Sequence, residues 1–453
     1  MRAALTTASL SGLIHRGSSP HDGKPAMKLD VNLTKLSARL AVAFALIISC
    51  GFLAVVIVSR FIVGTLSDDR LLVTRETLRV PVGWFPGSAR LNARLAAAEL
   101  EESDRDLRSA EFYAERAVML SPYDYRFRLT LASAQEANGN RAAAEQSLLA
   151  ARTLAPNYWD VHYRLGNLLV RQGKLTDSLA ELRMAVAANR ELLPGTLDLI
   201  WRASRADVGA VRAVTGNAAS TTLALAQFLV KESRAVEAAE VFSSIDRTDR
   251  LVSSRESSAF LNSLIAARKL DVARALWSDL AGRDNKATII SNGGFEFDIL
   301  RDFSQFDWSF GRSEYARLAI DAATARTGSR SLRIEFAGRD TTRLDDEIKQ
   351  LVPVRASTRY TLECYVKTNG LESPEGPKIV VTDSASSSWI ASSEPVASGS
   401  HDWQRVTVGF VAPQRALGET SAVVISIKRK PRFSYDDPTR GAVWFDDFSI
   451  SEQ

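Results

Sequence analysis

The residue types that do most of the chemistry in enzymes are scarce in this sequence. The chain of 453 residues has four histidines, of which only His162 and His401 lie beyond its first 40 residues. Adjacent carboxylates at Asp345–Asp346 and Asp436–Asp437 lie next to turn-like stretches, whereas a glycosidase needs two carboxylates that face each other across a sugar-sized cleft. There is no glycine-rich nucleotide loop and no HExxH, GxSxG or CxxC motif. The sequence therefore predicts a protein that is not an enzyme and has no organic cofactor.

Charge and cysteine content argue against two further classes of protein. The net charge is +4, and the first 39 residues hold six Lys and Arg against two Asp, so the remainder is nearly balanced. We therefore expect no nucleic-acid partner. Cys50 and Cys364 lie far apart in the sequence, so no disulfide is predicted. Cys364 alternates with Leu362 and Val366 on the apolar side of a strand-like run, which indicates a small core residue.

One apolar stretch, Leu40–Ser59, is long enough to cross a membrane. Its 20 residues carry no charge and are bracketed by Arg39 and Arg60, and a helix of about 20 residues spans the hydrocarbon core. Basic residues are more frequent before this stretch than after it, which by the positive-inside rule leaves the N-terminus in the cytoplasm. We therefore predict a disordered cytoplasmic tail (1–39), one transmembrane anchor (40–63), a linker (64–87) and extracytoplasmic domains, periplasmic or at the cell surface.

Three other interpretations of the apolar stretch stay open. A buried helix of a soluble protein would also be apolar, although such helices are usually shorter. A signal peptide would be cleaved, but no clear small-residue cleavage site follows the stretch. Residues 47–51 (IISCG) resemble a bacterial lipobox, which would make Cys50 a lipidated N-terminus. Upstream, Met27 offers an alternative start of translation.

Residues 88–282 are rich in Ala and Leu with helical periodicity. Residues 34 positions apart are alike, as these pairs show: Pro122 and Pro156, Gly139 and Gly173, Leu148 and Leu182, and Ala151 and Ala185. This pattern resembles the tetratricopeptide repeat, whose unit is two antiparallel helices. The resemblance implies an α-solenoid of about five helix-turn-helix repeats, with an irregular insert at 193–218.

Repeats of this family generally bind peptides or partner proteins in a groove lined by the first helix of each unit. The resemblance places the following residues along that groove: Glu99, Arg126, Ser133, Tyr163, Asn167 and Val170. Asn167 matches a position where members that bind a peptide backbone carry Asn, although Asn is also the consensus residue there. We therefore expect a protein partner at the repeats. The alternative is that the solenoid is a spacer, which holds the C-terminal domain away from the membrane.

The composition changes at residue 287 to alternating apolar and polar residues. Eight such runs follow, at 317–323, 331–338, 347–354, 359–368, 378–384, 404–413, 421–430 and 442–450. Alternation with a period of two predicts strands, and no long helix separates them, which favours an antiparallel β-sandwich over 287–453. The predicted fold class is multidomain, α plus all-β, with a single transmembrane helix, an α-solenoid and a C-terminal jelly roll.

The predicted strand framework resembles the carbohydrate-binding modules with galactose-binding-like folds. The resemblance rests on the opening 292–296 (NGGFE), on 327–332 (TGSRSL), and on the closing 444–448 (WFDDF). Trp308, Trp403 and Trp444 match framework positions and are therefore expected in the core.

The same resemblance implies a calcium site and a sugar-binding face. Members commonly hold a structural Ca²⁺ between the opening Glu and an Asp of the closing strand, which here implies Glu296 with Asp446 or Asp447. An ordinary acidic turn is the alternative. Sugars bind to aromatic faces and planar polar side chains, and the residues that we expect to contact a polysaccharide are Trp389, Tyr365, Lys367 and Arg405. A hydrated sheet face is the alternative for these residues.

Together these features predict a non-catalytic, membrane-anchored extracytoplasmic adaptor. Its repeats would bind a protein partner and its sandwich a polysaccharide, in the assembly or export of a cell-surface polymer. The alternative is a protein-only scaffold of a membrane complex, in which the sandwich binds protein or only caps the solenoid. Fold resemblance alone does not decide between them.

Overall fold

The computed structural model describes residues 36–66, 74–102, 106–283, 288–416, 419–433, 435 and 437–453. Most of the predicted tail, the middle of the predicted linker, the predicted start of the β domain at residue 287 and Asp436 lie outside the described residues. The described chain is helical up to Ala281 and consists mainly of strands from Ser309 onward. The prediction of a helical repeat region followed by antiparallel β-sheets is confirmed.

The apolar stretch lies in the first helix, α1 (Leu36–Leu66). Its part Leu40–Leu66 has 27 residues, and the most apolar window there has a mean hydropathy of 2.9 and no residue buried inside the protein. At about 1.5 Å per residue, this part is roughly 40 Å long, which exceeds the ~30 Å hydrocarbon core. By length and composition α1 is able to cross a membrane, and its exposure differs from that of a buried core helix.

A helix that the sequence did not predict, α2 (Arg75–Trp84), lies in the predicted linker. Its buried residues Leu78 and Val82 share an apolar cluster with Val63 and Leu66, at the end of α1. The same cluster extends into the first helix of the repeat region. Consequently α2 connects the apolar helix to the repeats through packed side chains.

The repeat region consists of antiparallel helix pairs. The first three pairs are α3 (Ala89–Glu101) with α4 (Leu107–Leu120), α5 (Tyr125–Ala137) with α6 (Arg141–Leu154), and α7 (Trp159–Arg171) with α8 (Leu175–Ala188). A short 3-10 helix (Arg190–Leu192) and an irregular pair follow, α9 (Leu193–Ala203) with α10 (Val208–Thr215). The last pairs are α11 (Ala219–Lys231) with α12 (Ala235–Ser243), then the short α13 (Arg247–Val252), then α14 (Ser254–Ala266) with α15 (Leu270–Ala281). The irregular pair lies where the 34-residue match is lost in the sequence.

The turns inside these pairs need one residue with a left-handed backbone. Gly139 and Gly173 take this conformation in two of the regular pairs, with φ of 86° and 76°. In the last two pairs Ser233 and Arg268 do so instead, with φ of 62° and 60°. A side chain at positive φ is strained, so Arg268 occupies a position that glycine would fill more easily.

The C-terminal part contains two five-stranded antiparallel sheets. Their strands are β1 (Ser309–Phe310), β2 (Ala316–Asp321), β3 (Ser331–Ala337), β4 (Ile348–Val354), β5 (Arg359–Glu372), β6 (Lys378–Asp383), β7 (Trp389–Ser392), β8 (Gly399–Val411), β9 (Ser421–Lys428) and β10 (Arg440–Glu452). Sheet A has the order β1-β4-β9-β6-β7, and sheet B the order β2-β3-β10-β5-β8. Each of the eight predicted runs contains a strand, and the short strands β1 and β7 are additional.

The alternating apolar residues of both sheets meet in one core. Leu362, Cys364 and Val366 of β5 belong to the same cluster as Val423 and Ile425 of β9. Burial raises the pKa of the Cys364 thiol well above its ordinary value. Because the thiolate is the reactive form, Cys364 is an inert core residue.

The repeat region and the sandwich share a second apolar cluster. Phe303 and Phe306, which lead into β1, and Ala422 of β9 pack with residues of the last helix pair. The indole Nε1 of Trp277 in α15 donates a hydrogen bond to the carbonyl oxygen of Phe303 at 2.6 Å. The sandwich therefore covers the end of the solenoid, which would otherwise expose apolar side chains.

Candidate functional site

Three of the predicted groove residues line one depression of about 350 Å³ in the repeat region. Ser133 lies on α5, and Tyr163 and Asn167 lie on α7, the first helices of two successive pairs. The side-chain nitrogen of Asn167 donates to the carbonyl oxygen of Tyr163 at 2.8 Å. The structure thus brings these three residues together on the first-helix surface.

The charged residues that line this depression are paired with each other. Arg171 forms two hydrogen bonds with Glu136, of 2.6 and 2.9 Å. Arg164 pairs with Asp160 at 3.0 Å, and its Nη1 reaches the Ser133 hydroxyl at 3.2 Å. With its charges already paired, the depression suits the polar but neutral backbone of a peptide better than a charged small molecule.

The other three predicted groove residues lie elsewhere, and Glu99 requires a correction. Glu99 is fully buried, and its carboxylate is 3.0 Å from the guanidinium of Arg79 on α2. The sequence suggested a linker where α2 packs over this position, so Glu99 does not face an open groove. Arg126 is exposed and pairs with its neighbour Asp124 at 2.6 Å. Val170 is half-buried and packs against the apolar cluster that begins at Leu182 and Val186 of α8.

His162 is held inside the third helix pair. Its Nδ1 lies 2.6 Å from a carboxylate oxygen of Glu181 on α8, and its Nε2 lies 2.7 Å from the carbonyl oxygen of Pro156. Arg152 of α6 forms an ion pair with the same carboxylate. These contacts tie together two helix pairs and the loop between them, which is a structural use of the histidine.

Three of the predicted sugar contacts lie together on the outer face of sheet B. Tyr365 and Lys367 point outward from β5, and Arg405 lies opposite Tyr365 on β8. Lys367 Nζ is 2.8 Å from Asp402, and Arg405 Nη2 is 2.5 Å from Glu363. The Arg405 guanidinium lowers the pKa of the Glu363 carboxyl. This face therefore presents an aromatic ring and two cationic side chains, each paired with a carboxylate.

The loop between β2 and β3 covers part of this face. The guanidinium of Arg326 lies over the ring of Tyr365, 3.3 Å from its centroid, and pairs with Asp447 at 2.7 Å. One side of the tyrosine ring is therefore occupied by a cation of the chain itself. Lys367 and Arg405 remain at the surface, with side chains 34% and 60% exposed.

Trp444 also belongs to this outer face, which corrects its predicted place in the core. Its neighbours Val443 and Phe445 lie in the core between the sheets, so Trp444 points the other way, opposite Lys367. It is only 7% exposed, and its indole Nε1 donates to Asp321 at 2.7 Å. Trp444 is thus a largely covered floor of the face.

Trp389 lies on the other sheet. It begins β7 at the edge of sheet A, opposite Thr382 of β6, and is 66% exposed. The four predicted sugar contacts therefore do not form one site, since Tyr365, Lys367 and Arg405 lie on sheet B. The sequence reveals which residues of a strand point outward, but not to which sheet a short strand belongs.

The three acids predicted as calcium ligands lie around Gly294. A Cβ placed on Gly294 would be 3.6 Å from an oxygen of Asp447, 3.7 Å from an oxygen of Asp446 and 3.8 Å from Cγ of Glu296. Carboxylate oxygens are the ligands that calcium prefers. The two aspartate oxygens lie near the same small space, and each already accepts a hydrogen bond, Asp447 Oδ1 from the Thr327 hydroxyl at 2.6 Å and Asp446 Oδ1 from the Asp447 backbone nitrogen at 2.8 Å.

The chain itself donates hydrogen bonds to these acids. One oxygen of Glu296 accepts from the backbone nitrogens of Ser329 and Arg330, at 2.8 and 3.0 Å, so Glu296 caps a turn. Burial raises the pKa of Asp446 to about 6, and the neighbouring charge of Asp447 adds to the effect. The described residues hold no group of three metal-ligating side chains. The fit to calcium is therefore limited to the two aspartates.

No protein-family model matches this chain, and no curated protein matches it. Among solved structures it is similar to the MamA protein, at 14% identity over 35% of this chain and 83% of that chain, with a TM-score of 0.29. It is also similar to TTC0263, a TPR protein of Thermus thermophilus, at 23% identity over 29% and 70% of the two chains, with a TM-score of 0.25.

A third similarity is to a CBM4 structure, at 18% identity over 36% of this chain and 99% of that chain, with a TM-score of 0.26. TM-scores this low carry no argument about function. What the protein binds must therefore be argued from its own surfaces.

Proposed function

We propose that this protein is a non-catalytic adaptor held at a membrane by α1, with repeats that bind a protein partner and a sandwich that binds a polysaccharide. The observation that carries the proposal is the apolar cluster that joins the last helix pair to the sandwich through Phe303 and Phe306. Because the two parts are packed together, a partner on one and a polymer on the other would be held at a fixed separation. An adaptor in assembly or export of a surface polymer needs this property.

Binding of a protein partner is supported by the depression lined by Ser133, Tyr163 and Asn167. A photo-crosslinking amino acid at position 167 in cells should give a discrete protein adduct. The same amino acid at Met184, which is 45% exposed on the second helix of its pair, is the matched control and should give none. Equal crosslinking from both positions would contradict binding in the groove.

Polysaccharide binding is supported by the exposed polar side chains of Lys367 and Arg405 on sheet B, which lie beside Tyr365. We expect the full chain in detergent to bind at least one neutral polysaccharide of a panel. Arg405→Gln and Lys367→Gln should each weaken that binding about tenfold, equivalent to about 1.4 kcal/mol. Arg355→Gln is the control, since Arg355 is 79% exposed and pairs with the C-terminal Glu452 instead. Equal affinity of all variants would exclude this face.

Anchoring by α1 is supported by its length, apolar composition and exposure. Trp84, the last residue of α2, is 66% exposed, and tryptophan is enriched at membrane interfaces. The protein should stay in membranes during alkaline carbonate extraction. Protease added from the extracytoplasmic side should digest the repeats and the sandwich. Release by carbonate, or protection from that protease, would contradict the anchor or its orientation.

A structural calcium ion is part of the proposal, bound at Asp446 and Asp447. Calcium would supply positive charge between two neighbouring carboxylates and so pin the closing strand. The melting temperature of the full chain should rise in calcium relative to EGTA, and the rise should disappear in Asp447→Asn. An identical melting temperature in both conditions would refute the calcium site.

The protein-only scaffold remains the second candidate function. It is favoured by the same apolar cluster, because a sandwich that covers the end of the solenoid has a structural role even without a ligand. Failure of the folded chain to bind any polysaccharide would select this alternative.

A further inference from the structure

A polar cleft of about 470 Å³ separates the last helix pair from the outer face of sheet A. Arg268, at the turn between α14 and α15, lies on the repeat side, and Lys349 and Lys428 lie on the sheet side. This volume is typical of small-ligand sites, which often form between domains. The cleft is distinct from the face formed by Tyr365, Lys367 and Arg405, because that face belongs to sheet B.

The cleft has surplus positive charge. Of its two carboxylates, Asp346 pairs with Lys428 at 2.9 Å, and Asp307 pairs with an arginine outside the cleft at 2.5 Å. Lys428 and, at longer range, Lys349 lower the pKa of Asp346. Arg268 and Lys349 form no ion pair with any residue that the structure describes. Two cations from different domains are therefore left for an anionic ligand.

Two buried polar atoms in the cleft walls have no hydrogen-bond partner. These are Oε1 of Gln305 and Oγ of Ser384. The Gln305 amide is held in place because its Nε2 donates to Ser258 Oγ on α14 at 2.6 Å. An unmade hydrogen bond at a buried group is unfavourable. A ligand with hydroxyl groups would supply the missing partners, and the hydroxyls of Thr382 and Ser387 line the same space.

The backbone at Arg268 and the position of Trp389 add to this picture. Arg268 has φ of 60° in a turn whose counterparts are Gly139 and Gly173 in the second and third pairs and Ser233 in the preceding pair, so the chain keeps a strained arginine here. Strain of this kind often marks a functional position. Trp389 is exposed and lies opposite Thr382, which lines the cleft. Trp389 itself does not line the cleft; it begins the strand that pairs with one wall of the cleft.

We propose that this cleft binds a carboxylate-bearing oligosaccharide segment. Arg268 and Lys349 would bind the carboxylates of the ligand through charge-assisted hydrogen bonds. Gln305 and Ser384 would form hydrogen bonds with its hydroxyl groups, and Trp389 would flank a sugar ring. The inference rests on the proposed function in one respect, that the sandwich binds polysaccharide. It adds a second site and the chemical class of its ligand. On the face of sheet B, Lys367 and Arg405 are already paired with carboxylates, so an anionic ligand is expected at the cleft instead.

Isothermal titration of the full chain in detergent tests this site. The probes are an oligogalacturonate and its methyl ester, which has the same sugars without the charge. The acid form should bind about tenfold more tightly than the ester, an advantage equivalent to about 1.4 kcal/mol. Added salt should weaken binding of the acid form, because the contacts are ionic.

Variants separate this site from the one on sheet B. Lys349→Gln and Arg268→Gly should each weaken binding of the acid form about tenfold, and Arg268→Gly relieves the positive φ, so the turn keeps its shape. Arg355→Gln, which lies outside both sites, should leave this binding unchanged. Loss of binding in Arg405→Gln with none in the cleft variants, or equal binding of the ester, would overturn the cleft site while the proposed function stands. A chain that binds no glycan of any kind would overturn both.

Discussion

Replacement of Trp277 by alanine should separate the two folded parts. Trp277 is fully buried, its ring lies 5.9 Å from that of Phe306, and its Nε1 donates to the Phe303 carbonyl oxygen. Truncation of a buried tryptophan to alanine costs about 3–5 kcal/mol, and the carbonyl left without a donor adds roughly 1–3 kcal/mol. With a shift of about 2–4 °C per kcal/mol, the melting temperature should fall by at least about 8 °C.

Circular dichroism of the full chain in detergent measures this effect. The wild type should lose helix and sheet signals together, whereas Trp277→Ala should lose them at different temperatures, since the shared cluster no longer couples the parts. Trp389→Ala is the matched control, because an exposed side chain should change stability by less than about 0.5 kcal/mol. A single transition at the wild-type temperature in Trp277→Ala would refute the shared core.

The remaining predictions concern the repeats and the sandwich. Gly166→Ala should destabilise by about 1–3 kcal/mol, because a Cβ there would lie 2.6 Å from Leu182 Cγ. Gly195→Ala, in a helix with open space around the Cβ, should be neutral or stabilise by up to about 1 kcal/mol. If denaturant unfolding showed Gly195→Ala to be less stable than Gly166→Ala, that would contradict the close helix crossing. Glu99→Ala should speed hydrogen exchange throughout α2, and unchanged exchange would show that the buried ion pairs do not hold that helix. Burial alone would raise the pKa of Asp437, but N–H and guanidinium donors outweigh burial and lower the pKa. The contribution of Asp437 to stability is therefore complete above about pH 4 and is lost as the pH falls further. The acid-induced drop in melting temperature should be smaller in Asp437→Asn than in the wild type, and an equal drop would contradict this.

The repeats could be predicted because small residues recur every 34 positions where helices cross. Gly166 faces Leu182 directly, so the sequence records the close approach as a residue type. Helix α2, which packs on the first helix of the repeat region, was not predictable in this way. The helix α2 has ten residues with Pro81 inside, which is too short and too irregular for a periodic signal. If α2 is not recognised, the repeat pattern predicts that Glu99 is exposed in the groove, whereas the structure shows that Glu99 is buried.

The sandwich faces were predictable only in part. Alternation along β5 places Tyr365 and Lys367 on the same side, as the structure does. The order of the strands in each sheet depends on contacts between segments that are distant in the sequence. The sequence pattern therefore does not predict that Trp389 lies in sheet A. The cover of Arg326 over Tyr365 depends on the path of a loop. The cleft with Arg268 was missed because its two walls come from different domains.

The adaptor function is tested most directly by asking whether the protein binds a polysaccharide and leaves its chain length unchanged. Affinity electrophoresis of the purified full chain, in gels that contain one polysaccharide each, measures binding. Chromatography of the same polymer after incubation with the protein measures its length. The adaptor predicts retarded migration in at least one gel and an unchanged polymer length. Migration that no polysaccharide retards, or a polymer that becomes shorter, would contradict it.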